Sequence, residues 1–329
     1  MRGAQGAPDD SGLCVVLGLR AERGLTRREV IMIARIGAHV TADAGPWGFA
    51  NQIKQLTDMG ANTCRVQMFT GGVRRFDDSQ VDQLFAATTG PEFIFMSSEL
   101  VYVSGGIGDP NGIESQWNIV KWFARRYPDR HIHFELGNEP NEAAGRPITV
   151  EGRWAESPED ANRRLMRAYN YCAGSKPSNV WLMINNVSQN DDGAFFNRFN
   201  LDLGYGSPIH NVQIVTLHAY VGGYQPLCLY GPDDPLKILR WVRSWNKNVP
   251  VKVTEAGINI DDHNWRPYRY VEFAQKLQRW SDELGGQPGA WCDSVCFYFV
   301  GWDSDVPQYR LNENDTAVIR PRSASNDCG

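Results

Sequence analysis

The chain is short of cysteine, has no long apolar run and carries no excess of positive charge, and each shortage excludes a class of protein. Its seven cysteines, Cys14, Cys64, Cys172, Cys228, Cys292, Cys296 and Cys328, are odd in number and scattered over 329 residues, unlike the dense, even spacing of a disulfide framework. Cys292 and Cys296 lack the second Cys or His pair of a structural zinc site. No stretch reaches the roughly 20 apolar residues of a transmembrane helix. The apolar run 14–19 is too short for the core of a secretory leader and is followed by Arg20. The expectation is therefore a soluble protein without a signal peptide in this chain, secreted if a leader has been removed and otherwise cytoplasmic. A formal charge of -5 and a pI near 5.7 argue against nucleic acid or an anionic membrane as partner. Nothing in the sequence reports the oligomeric state.

What is present is a sizeable core and many flat rings. Hydrophobic residues make up 42% and charged residues 22% of the chain, the balance of a globular domain. Eleven tryptophans and twelve tyrosines fill part of that core and leave flat aromatic faces of the kind that stack on sugar rings.

Residues 1–35 read as an N-terminal extension and 36–329 as one domain. From Ile36 the apolar pattern switches repeatedly between period two and period 3.6. Strands are expected at 36–43, 63–69, 93–97, 132–138, 180–186, 212–220, 249–255 and 294–300. Helices are expected near 50–59, 79–87, 114–126, 158–172, 235–245 and 268–284. Eight strands in alternation with helical segments imply a parallel sheet closed into a (β/α)8 barrel. The polar residues after Asp303 leave the last helix short or missing. No Gly-x-Gly-x-x-Gly follows the first strand, which counts against a dinucleotide-binding sheet.

In such a barrel the chemistry sits where strands end. The fourth expected strand runs into Gly137-Asn138-Glu139-Pro140-Asn141, where proline stops the ladder. The seventh, Val249 to Thr254, ends in Glu255-Ala256-Gly257. Arg65 lies on the second strand, His218 and Tyr220 on the sixth, and Trp302 follows the eighth. Strict alternation puts His133, Glu135, Gly137 and Glu139 on one face, Glu255 with Val253 and Val251, and Thr216 with His218 and Tyr220. Two glutamates on opposite walls of a barrel mouth are what a double-displacement glycosidase requires. One is protonated to release the leaving oxygen, and the other is ionised to attack the anomeric carbon. An arginine inside a β-branched strand needs a buried partner.

These residues, in this order, resemble clan A of the glycoside hydrolases. The resemblance rests on Asn138-Glu139-Pro140, Thr254-Glu255, Arg65 in Asn62-Thr-Cys-Arg-Val, and His218-Ala219-Tyr220. It implies Glu139 as acid/base, Glu255 as nucleophile and retention of configuration. Asn138 would bind the sugar 2-hydroxyl, Arg65 would contact the nucleophile, Tyr220 would lie beside it with His218 in support, and Trp302 would floor the sugar subsite. Glu255-Ala256-Gly257 departs from the Glu-Phe-Gly typical of family 5, and Leu136-Gly-Asn-Glu-Pro-Asn141 is similar to families 39 and 79, so the family stays open. The expected partner is an oligo- or polysaccharide, no cofactor or metal is required, and aromatics spread over several loops favour endo action on a β-linked polysaccharide.

Other readings accompany this one. Glu135, four residues below Glu139 and so about 13 Å away, reads as a buried polar-network residue. His131-x-His133 has metal-ligand alternation, which gives a metal-dependent barrel hydrolase as one alternative, but the pair begins its strand at the wrong end of the barrel. A non-catalytic carbohydrate-binding barrel is the other. Trp47, Trp154, Tyr224 and Trp265, and the acids Asp43, Glu99, Asp109 and Asp303, are lesser candidates in the loops.

Overall fold

Short runs of β-branched and aromatic residues, each bounded by turn-forming residues, become strands because the pleated backbone relieves crowding at Cβ. The structure is a computed structural model that describes residues 35–42, 48–70, 73–97, 112–138, 158–187, 214–222, 251–259 and 294–297. Its strands are β1 (Arg35–Val40), β2 (Thr63–Val66), β3 (Phe69–Thr70), β4 (Val73–Arg74), β5 (Glu92–Met96), β6 (His131–Glu135), β7 (Val180–Val187), β8 (Ile214–Gly222), β9 (Val251–Asn259) and β10 (Ser294–Phe297). Eight of them pair in parallel in the order β1-β2-β5-β6-β7-β8-β9-β10, and β10 closes on β1. The expected (β/α)8 TIM barrel is therefore observed. β3 and β4 form an antiparallel hairpin directly after β2.

The described helices are α1 (Gly48–Asp58), α2 (Asp78–Ala87), α3 (Ile113–Arg126) and α4 (Pro158–Ala173). Asp77 caps α2 by accepting from the Gln80 N–H at 2.8 Å, while Gln80 accepts from the Asp77 N–H at 2.9 Å, a reciprocal box that satisfies two orphan donors. Glu114 in the first turn of α3 and Arg125 and Arg126 in its last complement the helix dipole. α4 opens on Pro158, whose fixed φ suits a first helical position. The helices expected near 235–245 and 268–284, the segment after Asp303 and the extension up to residue 34 lie outside the described residues.

The period of two sorts the β5 side chains. Phe93 and Phe95 face the helices, with Phe93 stacked on Phe85 of α2 at 4.1 Å and Phe95 against Phe123 of α3 at 5.3 Å between ring centroids. Ile94 turns the other way, into a buried cluster with Met183 and Ile214 inside the barrel. Full burial of each such side chain contributes about 1.5–3 kcal/mol. Below Ile94 the interior becomes ionic. Lys252 donates to Glu92 Oε2 at 2.6 Å and Thr63 Oγ1 donates to Glu92 Oε1 at 2.9 Å, all three buried. β1 fits against β2 only because residue 37 is glycine: a Cβ there would lie 2.1 Å from the Thr63 carbonyl oxygen.

Candidate active site

The site is built round one side chain, Arg65 of β2, which is fully buried. A guanidinium carries five donors in a fixed plane, and β1, β5, β6, β9 and the turn after β6 supply acceptors for it. Its Nε donates to Glu135 Oε2 at 2.5 Å. Its Nη1 donates to Glu255 Oε1 and, at 2.9 Å, to His39 Nδ1. Its Nη2 donates to Asn138 Oδ1 at 3.1 Å and reaches Met96 Sδ at 3.0 Å. His218 Nδ1 lies 3.4 Å from Glu255 Oε2. Burial alone would lower the basicity of Arg65, but the charges of Glu135 and Glu255 outweigh it and hold the guanidinium above its ordinary pKa. The arginine is a permanent cation between two carboxylates.

Two departures from regular strand geometry make this convergence possible, and both correct the alternation expected from sequence. Glu255 does not share a face with Val253 and Val251. On β9 the pairing with β8 runs Lys252 to Thr216 and Val253 to Leu217, then skips to Glu255 opposite His218. The pairing with β10 slips in the same place. Thr254 is thus the extra residue of a β-bulge, which re-aims the side chains after it. As a result Lys252 and Glu255, three residues apart, both point into the barrel, one to Glu92 and the other to Arg65. Glu255 is also not the end of its strand, because β9 continues to Asn259 opposite Gly222.

The second departure is at Gly137. β6 stops at Glu135, earlier than the proline-terminated strand expected. The backbone then turns through Gly137 at φ 82, a left-handed conformation that glycine adopts freely. Its N–H donates to Ser97 Oγ at 2.7 Å, and the Ser97 N–H donates to the Glu135 carbonyl at 2.8 Å. Alternation alone would put Asn138 on the face opposite Glu135. After the turn, both side chains meet the same guanidinium.

Of the residues singled out from sequence, Arg65, Asn138, Glu255 and His218 come together. Arg65 has the buried partners its position demanded, and Glu135 is the buried network residue expected. Tyr220 lies on β8 opposite Gly257, with its side chain outside the described set. Glu139 and Trp302 lie outside the described residues, as do Trp47, Trp154, Tyr224, Trp265, Asp43, Glu99, Asp109 and Asp303. His131 packs against Trp181 at 4.8 Å, and His133 Nδ1 lies 3.9 Å from Glu92 Oε2, near the start of the strands. Among the described residues no three His, Cys, Asp or Glu side chains form a group able to hold a metal ion, and no helix is long and apolar enough to cross a membrane.

Sequence reasoning missed His39. It is level with Arg65 in the β1–β2 register and only 4% exposed. Burial first, and the Arg65 charge next, push its pKa from 6.5 down to about 3. The imidazole is therefore neutral, and since Nδ1 accepts from Arg65, its proton is on Nε2. A polar residue within the apolar run Ile36 to Val40 was the available signal.

A fold and site of this kind define a class: a closed parallel barrel with a buried arginine–carboxylate centre among its strands. No protein-family model matches the sequence, and no curated relative matches it. Solved structures do resemble the fold. The "GH5-4 broad specificity endoglucanase from Ruminococcus flavefaciens" is similar over 87% of this chain and 95% of its own, with TM-score 0.53 and 17% identity. The xylanase 10B CBM22-1–GH10 modules of Clostridium thermocellum, solved with xylohexaose, are similar over 88% of this chain and 66% of theirs, with TM-score 0.56 and 10% identity. Saccharomyces cerevisiae Gas2p, solved with laminaripentaose, is similar over 89% of this chain and 65% of its own, with TM-score 0.52 and 14% identity. At these identities the shared property is the barrel fold. The resemblance to clan A drawn from the strand-end residues thus meets barrels of that clan, GH5 and GH10 enzymes, in the structural comparison.

Proposed function

We propose that the chain is a retaining β-glycoside hydrolase, endo-acting on a β-linked polysaccharide. The observation that carries this reading is that one buried guanidinium holds both the Glu255 carboxylate and the Asn138 amide oxygen, with Glu139 the next residue along. A carboxylate gripped by a permanent cation stays ionised and available as a nucleophile. The arrangement suits double displacement. Glu255 attacks the anomeric carbon as the glycosidic bond breaks and Glu139 passes a proton to the leaving oxygen. A water molecule, deprotonated by Glu139, then attacks the same carbon and releases Glu255. Asn138 would hold the sugar 2-hydroxyl, His218 and Tyr220 would support Glu255, and Trp302 would floor the sugar subsite. The similar structures described as an endoglucanase and a xylanase agree with endo action on a β-linked chain, and Glu255 needs no metal to attack.

The test is a hydrolysis screen over aryl β-glycosides and β-linked glucans, xylans and mannans, run beside Glu255→Ala. Cleavage by the wild type with the product anomer first formed in the β configuration, and loss of turnover with retained sugar binding in Glu255→Ala, is the expected result. Normal rates in Glu255→Ala, or an α product, would overturn the assignment.

A further inference from the structure

Glu135 is the one charged member of the cluster that the reaction above does not employ. It is fully buried, grips Arg65 Nε at 2.5 Å, and its second oxygen, Oε1, has no hydrogen-bond partner among the described residues. Buried carboxylates are costly, and one already paired to an arginine that also serves Glu255 adds a second negative charge to a site that must ionise its nucleophile. With Arg65 positive and Glu135 and Glu255 negative, the triad carries a net charge of -1. A second carboxylate on the same guanidinium has a use if some state of the protein removes the charge of the first.

The covalent intermediate is that state. When Glu255 bonds to the anomeric carbon and the glycosidic bond breaks, the Glu139 proton leaves with the departing oxygen, and the negative charge passes from Glu255 to Glu139. Glu255 is then a neutral ester. Arg65, still buried, would lose a charged partner on the side facing the substrate, and a buried cation whose partner is removed is strongly destabilised. Resting on the glycosidase reading, we propose that Glu135 is a positioning residue that shares Arg65 with Glu255 in the free enzyme and takes over as the guanidinium's counter-ion in the glycosyl-enzyme. It does so through Nε, which leaves the Nη1 and Nη2 edge directed at Glu255 and Asn138 throughout. The titratable and charged described groups facing Glu255 are Arg65 from β2, His39 from β1 and His218 from β8, with Glu135 of β6 behind the arginine.

Glu135→Gln tests this, since the amide oxygen can still accept from Nε and only the charge is removed. Without that charge Arg65 grips Glu255 harder in the free enzyme and is left unbalanced in the ester. Inactivation by a 2-deoxy-2-fluoro glycoside, which reports formation of the ester alone, should slow by about 10- to 100-fold, the equivalent of one to two pKa units. Reactivation of the trapped ester should not slow, and the acid limb of kcat/KM should move to lower pH. A structural defect would slow both steps together and leave the limb in place, and that result overturns the proposal. An unchanged inactivation rate overturns it as well.

A second measurement needs no sugar. Glu255→Gln mimics the neutral ester, so unfolding of the two single variants and of Glu135→Gln/Glu255→Gln should show the double variant losing more stability than the singles together. Additive losses would mean the two carboxylates do not share the arginine, and the proposal falls. If no fluoroglycoside labels the wild type, it is the glycosidase reading that fails, while the stability cycle still decides whether Arg65 is shared.

Discussion

The depressed basicity of His39 makes a quantitative prediction about acid stability. In the folded protein this imidazole stays neutral down to about pH 3, whereas in the unfolded chain it protonates near 6.5. Between these values the unfolded state binds one more proton than the folded state, so stability rises with pH and is lost as pH falls below 6.5. At 1.36 kcal/mol per pH unit the full window to pH 3 is worth about 5 kcal/mol. The usable window is narrower, because carboxylates begin to titrate in the unfolded chain near pH 4.3. From pH 7 to pH 5, allowing for the gradual onset around 6.5, His39 alone should cost about 2 kcal/mol. Every other titrating group is common to the two proteins when the comparison is with His39→Asn, whose amide oxygen takes the place of Nδ1 as acceptor for Arg65 Nη1. Urea unfolding of both proteins at half-unit steps from pH 7 to pH 5 should give a wild-type curve steeper by about 2 kcal/mol over the range. Parallel curves would refute the reasoning, because they would mean that His39 gains its proton as readily folded as unfolded.

Three further outcomes are expected. Glu139→Ala should lose far more activity on substrates with poor leaving groups than on activated aryl glycosides, which need little protonation; equal losses in the two substrate series would count against the acid role. Gly37→Ala should destabilise by at least about 3 kcal/mol, the upper range for overpacking, because the added carbon meets backbone at the Thr63 carbonyl, and a normal unfolding midpoint would show that β1 and β2 are not so close. Lys252→Met should cost about 3–5 kcal/mol by removing the lysine charge paired with buried Glu92, Lys252→Met/Glu92→Leu should recover most of it, and kcat of the folded protein should survive in both; a double variant no better than the single would refute the pairing.

Much of the barrel was legible because its signal is periodic. Phe93-Ile94-Phe95 alternates between helix and interior as written, and the eight strands fall within a few residues of their expected positions. Arg65 could be singled out because a permanent cation inside the strand Thr63-Cys64-Arg65-Val66 has nowhere to go but a carboxylate. The same reasoning applied to Lys252, between Val251 and Val253, would have found its partner too. What the sequence hid were breaks in the period. The bulge at Thr254 inserts one residue with no unusual side chain to announce it, so counting by twos turned Glu255 onto the wrong set of neighbours. Gly137 was visible as a glycine but not as a left-handed turn, since the same residue could equally have continued the strand. His39 was overlooked for a different reason. A neutral buried histidine leaves no charge imbalance in the sequence, and only its register against Arg65 shows what it serves.

The two ionic layers of the barrel differ in a way that bears on function. In the lower one, Lys252 and Glu92 balance, with Thr63 donating to the second carboxylate oxygen; this pair fixes which strands face each other across the barrel floor and leaves nothing to react. In the upper layer one arginine faces two carboxylates. An ionised nucleophile needs a cation beside it, yet that cation must not hold it so tightly that it cannot attack, and must not be left stranded once it has. On the proposed mechanism Glu135, fully buried, meets both demands from behind the arginine. The bulge at Thr254 and the left-handed Gly137 serve the same centre, since without them neither Glu255 nor Asn138 would reach the guanidinium.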